Sequence, residues 1–354
     1  MLRQRMQAER VDLVVLGPGP HMQWLLGFHA HADERPCLIC ISQTRAAFLM
    51  PALNTDASRA HTDLEFFEWT DTDGPTGAFA RLLDHLGARR SDRIVLDETM
   101  RVDFAALVQD ALPAAIRQFT ASTIGFLRMR KDADEISLLK DNAVIADAAM
   151  QAGWAAMGAG MTELQVAGVI REKFSQLGAI PLFSIVAAGS NGAFPHHQTG
   201  DTKLQNGDAV VMDIGGGIGG YSSDITRMAV IGTPPDGYSD VHTIVETAVQ
   251  AAMAAARPGV KAHVVDDAAR GVICDAGYGD YFLHRTGHGL GVEIHEQPYI
   301  TSVSETVLEP GMVFSVEPGI YLPGRFGIRL EDIVILREDK PEILSELPRD
   351  LKVI

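Results

Sequence analysis

Carboxylates sit in this chain where apolar strands would place core residues. Asp213 follows Val210-Val211-Met212, and Glu317 follows Val313-Phe314-Ser315-Val316. Enclosing a carboxylate among apolar side chains is costly unless it is paired or bound to a cation. One such acid is most simply a strand end turned to water. These two, however, lie in matched segments, Leu204 to Asp213 and Leu308 to Glu317. A Leu, a Gly (Gly207, Gly311) and the terminal acid recur there at an offset of 104 residues. Each segment is followed by a Gly-containing turn and a second acidic strand, with Asp224 in one copy and Glu331-Asp332 in the other. The pattern predicts two related β-hairpins, each with one acid at a strand end and another at the start of the returning strand. Four converging carboxylates repel and raise one another's pKa. A pair of divalent cations relieves that repulsion, and carboxylate oxygens suit Mn²⁺, Co²⁺, Zn²⁺ or Mg²⁺.

Nitrogen donors are close in sequence. His284, His288 and His295 fall within HRTGHGLGVEIHEQP. His284 and His288 have the i, i+4 spacing of one helix face, but Gly287, Gly289 and Gly291 argue against a helix and for close backbone approach. His288, central among those glycines, is the expected nitrogen ligand, and His295 a nearby catalytic group. His196 and His197 follow Phe194-Pro195 in a loop. His29 and His31 read as surface loop residues. Cys37-Leu38-Ile39-Cys40 matches C-x-x-C but lies inside an apolar run with no second Cys or His pair at zinc spacing, so it reads as a core strand.

The elements that must position these groups are of two kinds. Up to about residue 124, short apolar runs (VDLVVLG, PCLICI, AAFLM, RIVLD) alternate with helical stretches such as GAFARLLDHLG, which predicts an α/β domain. A boundary is expected between Thr120 and Lys131. Beyond it a long helix should begin at Asp132, with Asp134 and Glu135 complementing its dipole. A second helix is expected over Thr162–Leu177 with Thr162 as cap. Two more, Val241–Ala256 and Val264–Ala276, are separated by Arg257-Pro258-Gly259. Two hairpins with helices between them predict a pseudo-symmetric sheet with helices outside.

Composition narrows the function classes. The 354 residues carry 30 Lys+Arg against 46 Asp+Glu, a net charge of −16, which argues against a nucleic-acid or anionic-membrane binder. The apolar run Leu13–Leu16 is too short for a signal-peptide core or a spanning helix. Three cysteines cannot build a disulfide framework, which fits a reducing cytoplasm.

The stretches MDIGGGIGGYSSDITR, HRTGHGLGVEIHEQP, FSVEPGIY and GIRLEDIVIL, with the loop FPHHQTGDTKLQNGD, resemble the M24 metallopeptidases of pita-bread fold, and specifically their proline-directed branch. The first 124 residues resemble the creatinase-type N-terminal domain of prolidases and aminopeptidases P, including MQWLLGF and ERP. The resemblance implies an α/β (α+β) chain of two domains, a creatinase-like domain over 1–124 and a pita-bread catalytic domain over 125–354. It implies five metal ligands: Asp213 on one metal, His288 and Glu317 on the other, with Asp224 and Glu331 bridging. Creatinase shares the fold but not these ligands, so the full set argues against a metal-free creatine hydrolase.

The activity implied is dinuclear-metal-dependent hydrolysis of the Xaa-Pro bond in dipeptides. A metal-bridged hydroxide would attack the carbonyl, Glu317 would shuttle its proton, and His196 and His295 would stabilise the tetrahedral intermediate and leaving group. Arg329 would orient a ligand carboxylate, as would Tyr221 near Asp224. Mn²⁺ is the first choice of metal, with Co²⁺ or Zn²⁺ as alternatives. A homodimer is expected, and no nucleic-acid or membrane partner. The alternatives are an aminopeptidase P acting on longer Xaa-Pro peptides and a non-catalytic pita-bread binding protein. Some prolidases carry an Arg four residues after the His matching His295. Here that position is Tyr299, expected beside the substrate with His197, but it donates only one neutral hydrogen bond, so Arg285, His197 or a partner-chain residue is left to hold the proline carboxylate.

Overall fold

The short apolar runs of the first third pair into one mixed sheet. The computed structural model describes residues 1–354, which divide into two units, Met1–Arg128 and Met129–Ile354. The first unit holds β1 (Leu13–Leu16), β2 (Leu38–Ser42), β3 (Ala46–Pro51), β4 (Glu65–Trp69), β5 (Arg93–Leu96) and β6 (Ile116–Phe119), in the order β4-β3-β2-β1-β5-β6. The pairs β1–β2 and β2–β3 are antiparallel and the others parallel. Helices α1 (Leu2–Ala8), α2 (Pro20–Leu26), α3 (Ala52–Arg59), α4 (Pro75–Leu86), α5 (Val102–Ala111) and α6 (Ile124–Arg128) complete it. Ile124 is buried in this unit's core, so the chain leaves the unit at Arg128. Cys37 packs with Ile39 and Ile41 on one face of the sheet, whereas Cys40 packs with Leu38 on the other. The two thiols therefore cannot share a ligand, and burial pushes the Cys37 thiol up to about 12.

Local capping chemistry starts the helices of the second unit. Asp132 accepts from the Asp134 and Glu135 N–H groups, and Glu135 answers with its carboxylate, a capping box opening α7 (Ala133–Ala156). Thr162 and Gln165 repeat the device for α8 (Glu163–Gln176). The remaining helices are α9 (Tyr238–Ala255) and α10 (Ala262–Asp275). α9 starts earlier than its apolar periodicity suggests, because Gly237 at φ 74° turns the chain into the helix from the left-handed region.

Two five-stranded sheets carry the rest. The first comprises β7 (Ile180–Ala188), β8 (Ala209–Ile218), β9 (Tyr221–Ser222), β10 (Ile225–Val230) and the C-terminal β18 (Lys352–Val353). The second runs β12-β11-β13-β16-β17, from β11 (Gly287–Gly289), β12 (Glu296–Ile300), β13 (Val313–Val316), β16 (Asp332–Leu336) and β17 (Pro341–Ile343). A separate ribbon pairs β14 (Gly319–Leu322) with β15 (Phe326–Arg329). Apolar faces of α7 and α8 (Ala146, Met150, Val166, Ile170, Phe174) pack on Val186, Val210, Met212 and Ile214.

The two acid-bearing hairpins are related but unequal. Asp224 and Glu331 hold matched places, just before β10 and β16. Their partners differ: β13 ends at Val316, before Glu317, whereas β8 runs past Asp213 to Ile218. The sequence expectation of a strand ending at Asp213 is corrected here. Gly215 and Gly216 keep the strand going, because a side chain at either would overlap the Phe183 or Phe174 ring. Gly215→Ala should therefore cost about 1–3 kcal/mol through overpacking, read from urea unfolding. Gly168→Ala, in α8 with open space around it, should be neutral or stabilising by about 0.5–1 kcal/mol.

Candidate metal centre and active site

The sequence-predicted acids converge. Asp213 lies within β8, Asp224 between β9 and β10, His288 in β11, Glu317 after β13, and Glu331 between β15 and β16. Ligand atoms of Asp213, Asp224 and Glu331 lie within 4.8 Å of one another, as do those of His288, Glu317 and Glu331. Glu331 is common to both groups. His288 Nε2 stands 3.2 Å from Glu317 and 3.7 Å from Asp224. A cavity of about 840 Å³ opens over them, lined also by His196, His284, Arg285, His295 and Arg329. Its apolar lining is Leu182, Phe183 and Ile185 of β7 together with Val292 and Ile294.

The glycines around His288 are dictated by crowding. A Cβ on Gly287 would overlap the Ser315 carbonyl oxygen, and one on Gly289 the Gln297 carbonyl. Only glycine lets β11 pass between β12 and β13 here. The Ser315 hydroxyl accepts from the His288 N–H at 2.9 Å and donates to Glu317 at 3.1 Å. His288 Nδ1 faces the Gly289 carbonyl at 3.1 Å, which leaves Nε2 for the cluster.

Charge within the cluster is unevenly held. Burial first, and then the charges of Glu331, Asp213 and Glu317, push Asp224 well above the usual carboxylate range. Burial, Glu317 and Asp213 do the same to Glu331. Burial also acts upward on Glu317, but the hydrogen bond and charge of His288 outweigh it and hold that carboxyl at about 2. His295 stacks edge-on to His288 at a centroid distance of 4.1 Å. Its imidazole is lowered to about 4 by partial burial and then by its neighbours His288 and Arg285, so the ring is neutral at pH 7.

Arg329, fully enclosed, ties the cluster to its surroundings. It donates to Asp213 Oδ2 at 2.6 Å, to Tyr321 at 2.9 Å and to Thr226 at 3.1 Å. Thr226 in turn donates to Glu331 at 2.7 Å, and Tyr321 meets His284 Nε2 at 2.7 Å. Sequence reasoning missed Thr226, Ser315, Tyr321 and His284 as parts of this network. Thr226 was findable, since it pairs with Asp213 in the β8–β10 register; Tyr321 was not, being brought in by the β14–β15 ribbon.

Three sequence expectations are corrected. His197 does not face the cavity, because its Nε2 is bound to Glu163 at 2.8 Å. Tyr221 does not orient a ligand carboxylate: its hydroxyl donates to Glu135 of α7 at 2.7 Å. Tyr299 is not a cavity-lining residue; its ring lies under the Arg285 guanidinium, 4.5 Å from the centroid.

The donor set fits divalent cations. Asp213 Oδ1 and Asp224 Oδ1 are buried with no hydrogen-bond partner, although buried carboxylate oxygens are normally satisfied. They belong to the same cluster as Glu331, and hard oxygens with one imidazole are the donors such ions take.

Fold and donors together define a class. Residues 137–338 match metallopeptidase family M24, and residues 1–131 match the creatinase/prolidase N-terminal domain; the chain belongs to the M24 metallopeptidases, a family whose members carry divalent metal ions. The chain is 38% identical to the probable dipeptidase PepE of Mycobacterium tuberculosis over 348 residues, covering 96% of this chain and 92% of that one. It is 33% identical to the Xaa-Pro dipeptidase of Lactobacillus helveticus, with 100% and 98% covered. The crystal structure of recombinant prolidase from Thermococcus sibiricus superposes with a TM-score of 0.92 at 33% identity, covering 100% of this chain and 97% of that one. No helix is long and apolar enough to cross a membrane.

The raised carboxyls set a pH dependence. Asp224 and Glu331 hold protons more tightly folded than unfolded, so their contribution is complete below their ordinary values of 3.8 and 4.5 and is lost as pH rises above them. Glu317 works oppositely but only in acid, since its folded value is about 2. The two raised carboxyls should therefore contribute a loss of stability on going from weakly acidic to neutral pH, opposed by His295 and His284, whose lowered imidazoles gain protons on unfolding below their ordinary value of 6.5; the carboxyl contribution is read from urea midpoints in EDTA. Asp224→Asn should flatten that slope, and saturating Mn²⁺ should remove it by replacing protons with cations.

Proposed function

We propose that this chain is a dinuclear-metal Xaa-Pro dipeptidase, with Asp213, Asp224, His288, Glu317 and Glu331 as ligands and Mn²⁺ as the metal. One observation carries the reading: two donor groups share Glu331, and two buried carboxylate oxygens of that cluster lack any protein partner. Bound divalent cations would lower the pKa of a water and polarise the scissile carbonyl. The chain's own groups do the rest. Arg329 occupies Asp213 Oδ2 and so fixes Oδ1 toward the cluster. Thr226 does the same for one oxygen of Glu331. Glu317, ionised and at the cavity floor, accepts a proton from the attacking water. His196 and neutral His295 supply N–H groups to the carbonyl oxygen as charge develops. The leaving nitrogen of a prolyl bond has no N–H and must receive a proton, which Glu317 can pass on.

Arg285 supports a dipeptidase over an aminopeptidase. It is a cation at the cavity wall, braced on the Tyr299 face, and it can hold the free proline carboxylate that only a dipeptide presents. Mn²⁺-dependent hydrolysis of Ala-Pro should far exceed that of Ala-Pro-Ala; efficient tripeptide cleavage would select the aminopeptidase reading. Arg285→Leu should raise KM for Ala-Pro about 10- to 100-fold, as expected for a lost charge-assisted hydrogen bond, while the already slow hydrolysis of Ala-Pro-amide stays unchanged.

A further inference from the structure

The loop that carries His196 has almost no regular structure. It runs from the end of β7 at Ala188, through a short 3₁₀ turn at Gly189–Ala193, toward β8. One carboxylate orders it. Glu163, the first residue of α8, is 0% exposed. It accepts from the Ala188 N–H at 2.8 Å, Asn191 Nδ2 at 2.9 Å, His197 Nε2 at 2.8 Å and the Gly200 N–H at 3.0 Å. An ionised carboxylate has about four acceptor positions, and here they are all spent on one loop.

The helix backbone completes the arrangement. The first N–H groups of a helix have no acceptor within it. Those of Glu163 and Leu164 donate to Thr202 O and Gly200 O, both at 3.0 Å. Side chain and backbone of one helix end thus fasten the loop at Ala188, at Asn191 and His197, and at Gly200. Between these points Phe194-Pro195-His196 projects, with Phe194 62% exposed and His196 in the cavity wall. Arg329, which holds Asp213, also reaches the Pro195 carbonyl at 3.3 Å. His196 is therefore flanked by a contact to the carboxylate cluster on one side and by the Glu163-bound His197 on the other.

We propose that Glu163 is a positioning residue: acting through His197 and the loop amides, it fixes His196 where the scissile carbonyl is bound. Glu163 itself lies outside the cavity and touches no substrate. The inference rests on the reading of His196 given above.

Glu163→Gln keeps the side chain's size but turns an amide NH₂ toward groups that also donate. It should lower kcat and kcat/KM for Ala-Pro together, by about 10- to 100-fold, the cost of misplacing a catalytic group by about an ångström. Metal stoichiometry should stay that of the unaltered protein. In a His196→Ala background the same change should cost less than about twofold more, because residues acting as a unit are not additive. His197→Ala, a milder variant at a part-exposed position, should lose activity, and His197→Gln, which retains an N–H donor, should recover much of it. Amide hydrogen exchange at Ala188 and Gly200 should accelerate in Glu163→Gln. Unchanged kcat/KM in Glu163→Gln, or a loss that multiplies fully with His196→Ala, would overturn the positioning role. If His196→Ala is itself fully active with metal bound, the reading of His196 fails. In that case, accelerated exchange at the two amides upholds the ordering of the loop by Glu163, and unchanged exchange overturns it.

Discussion

Carboxylates enclosed together at the floor of one cavity are the constraint from which the rest of the second unit follows. Each ion removed from water costs several kcal/mol, and their mutual repulsion adds to that cost. Protons meet part of it, as the raised Asp224 and Glu331 show. Arg329 and His288 meet another part through Asp213 and Glu317. What remains is two bare oxygens, Asp213 Oδ1 and Asp224 Oδ1, and an imidazole edge aimed at two acids. Cations satisfy all three at once.

Holding such a cluster demands a rigid frame, and the sheets supply it. β8 with β10, and β13 with β16, bring one acid each to the floor from within or beside a strand, and the residues preceding β10 and β16 bring the other two. The partly shared geometry explains why the hairpins resemble each other without being equal. Buried Arg227 extends the frame: it donates to the Glu331 carbonyl, to Asp332 and to the Leu347 carbonyl, binding the C-terminal segment beneath the cluster. Loops carry the remaining site groups, and they too are anchored by buried carboxylates, Glu163 for the His196 loop and Asp266 for the segment before His288.

The sequence made some of this legible because the responsible physics is local. Asp132-x-x-Glu135 and Thr162-x-x-Gln165 announce helix starts through their own backbone. Acids placed after apolar runs, repeated at a fixed offset, announce a shared site. Glycines bracketing His288 announce backbone crowding. Groups whose partner comes from distant chain were not legible. Tyr221 stands next to Asp224's hairpin but is taken by Glu135 of α7, and His197, adjacent to His196, is taken by Glu163. Arg285 and Tyr299 are fourteen residues apart, and only the β11–β12 turn stacks one on the other.

Titration of metal-stripped protein with Mn²⁺, followed by calorimetry and by electron paramagnetic resonance, reads whether the carboxylate cluster is a dinuclear centre. A dinuclear centre should give two equivalents bound per chain, a spin-coupled pair at saturation, proton release accompanying binding, and loss of the coupled signal in Glu331→Gln, since Glu331 belongs to both donor groups. Binding of one isolated Mn²⁺ or none, in a protein that still hydrolyses Ala-Pro, would contradict it.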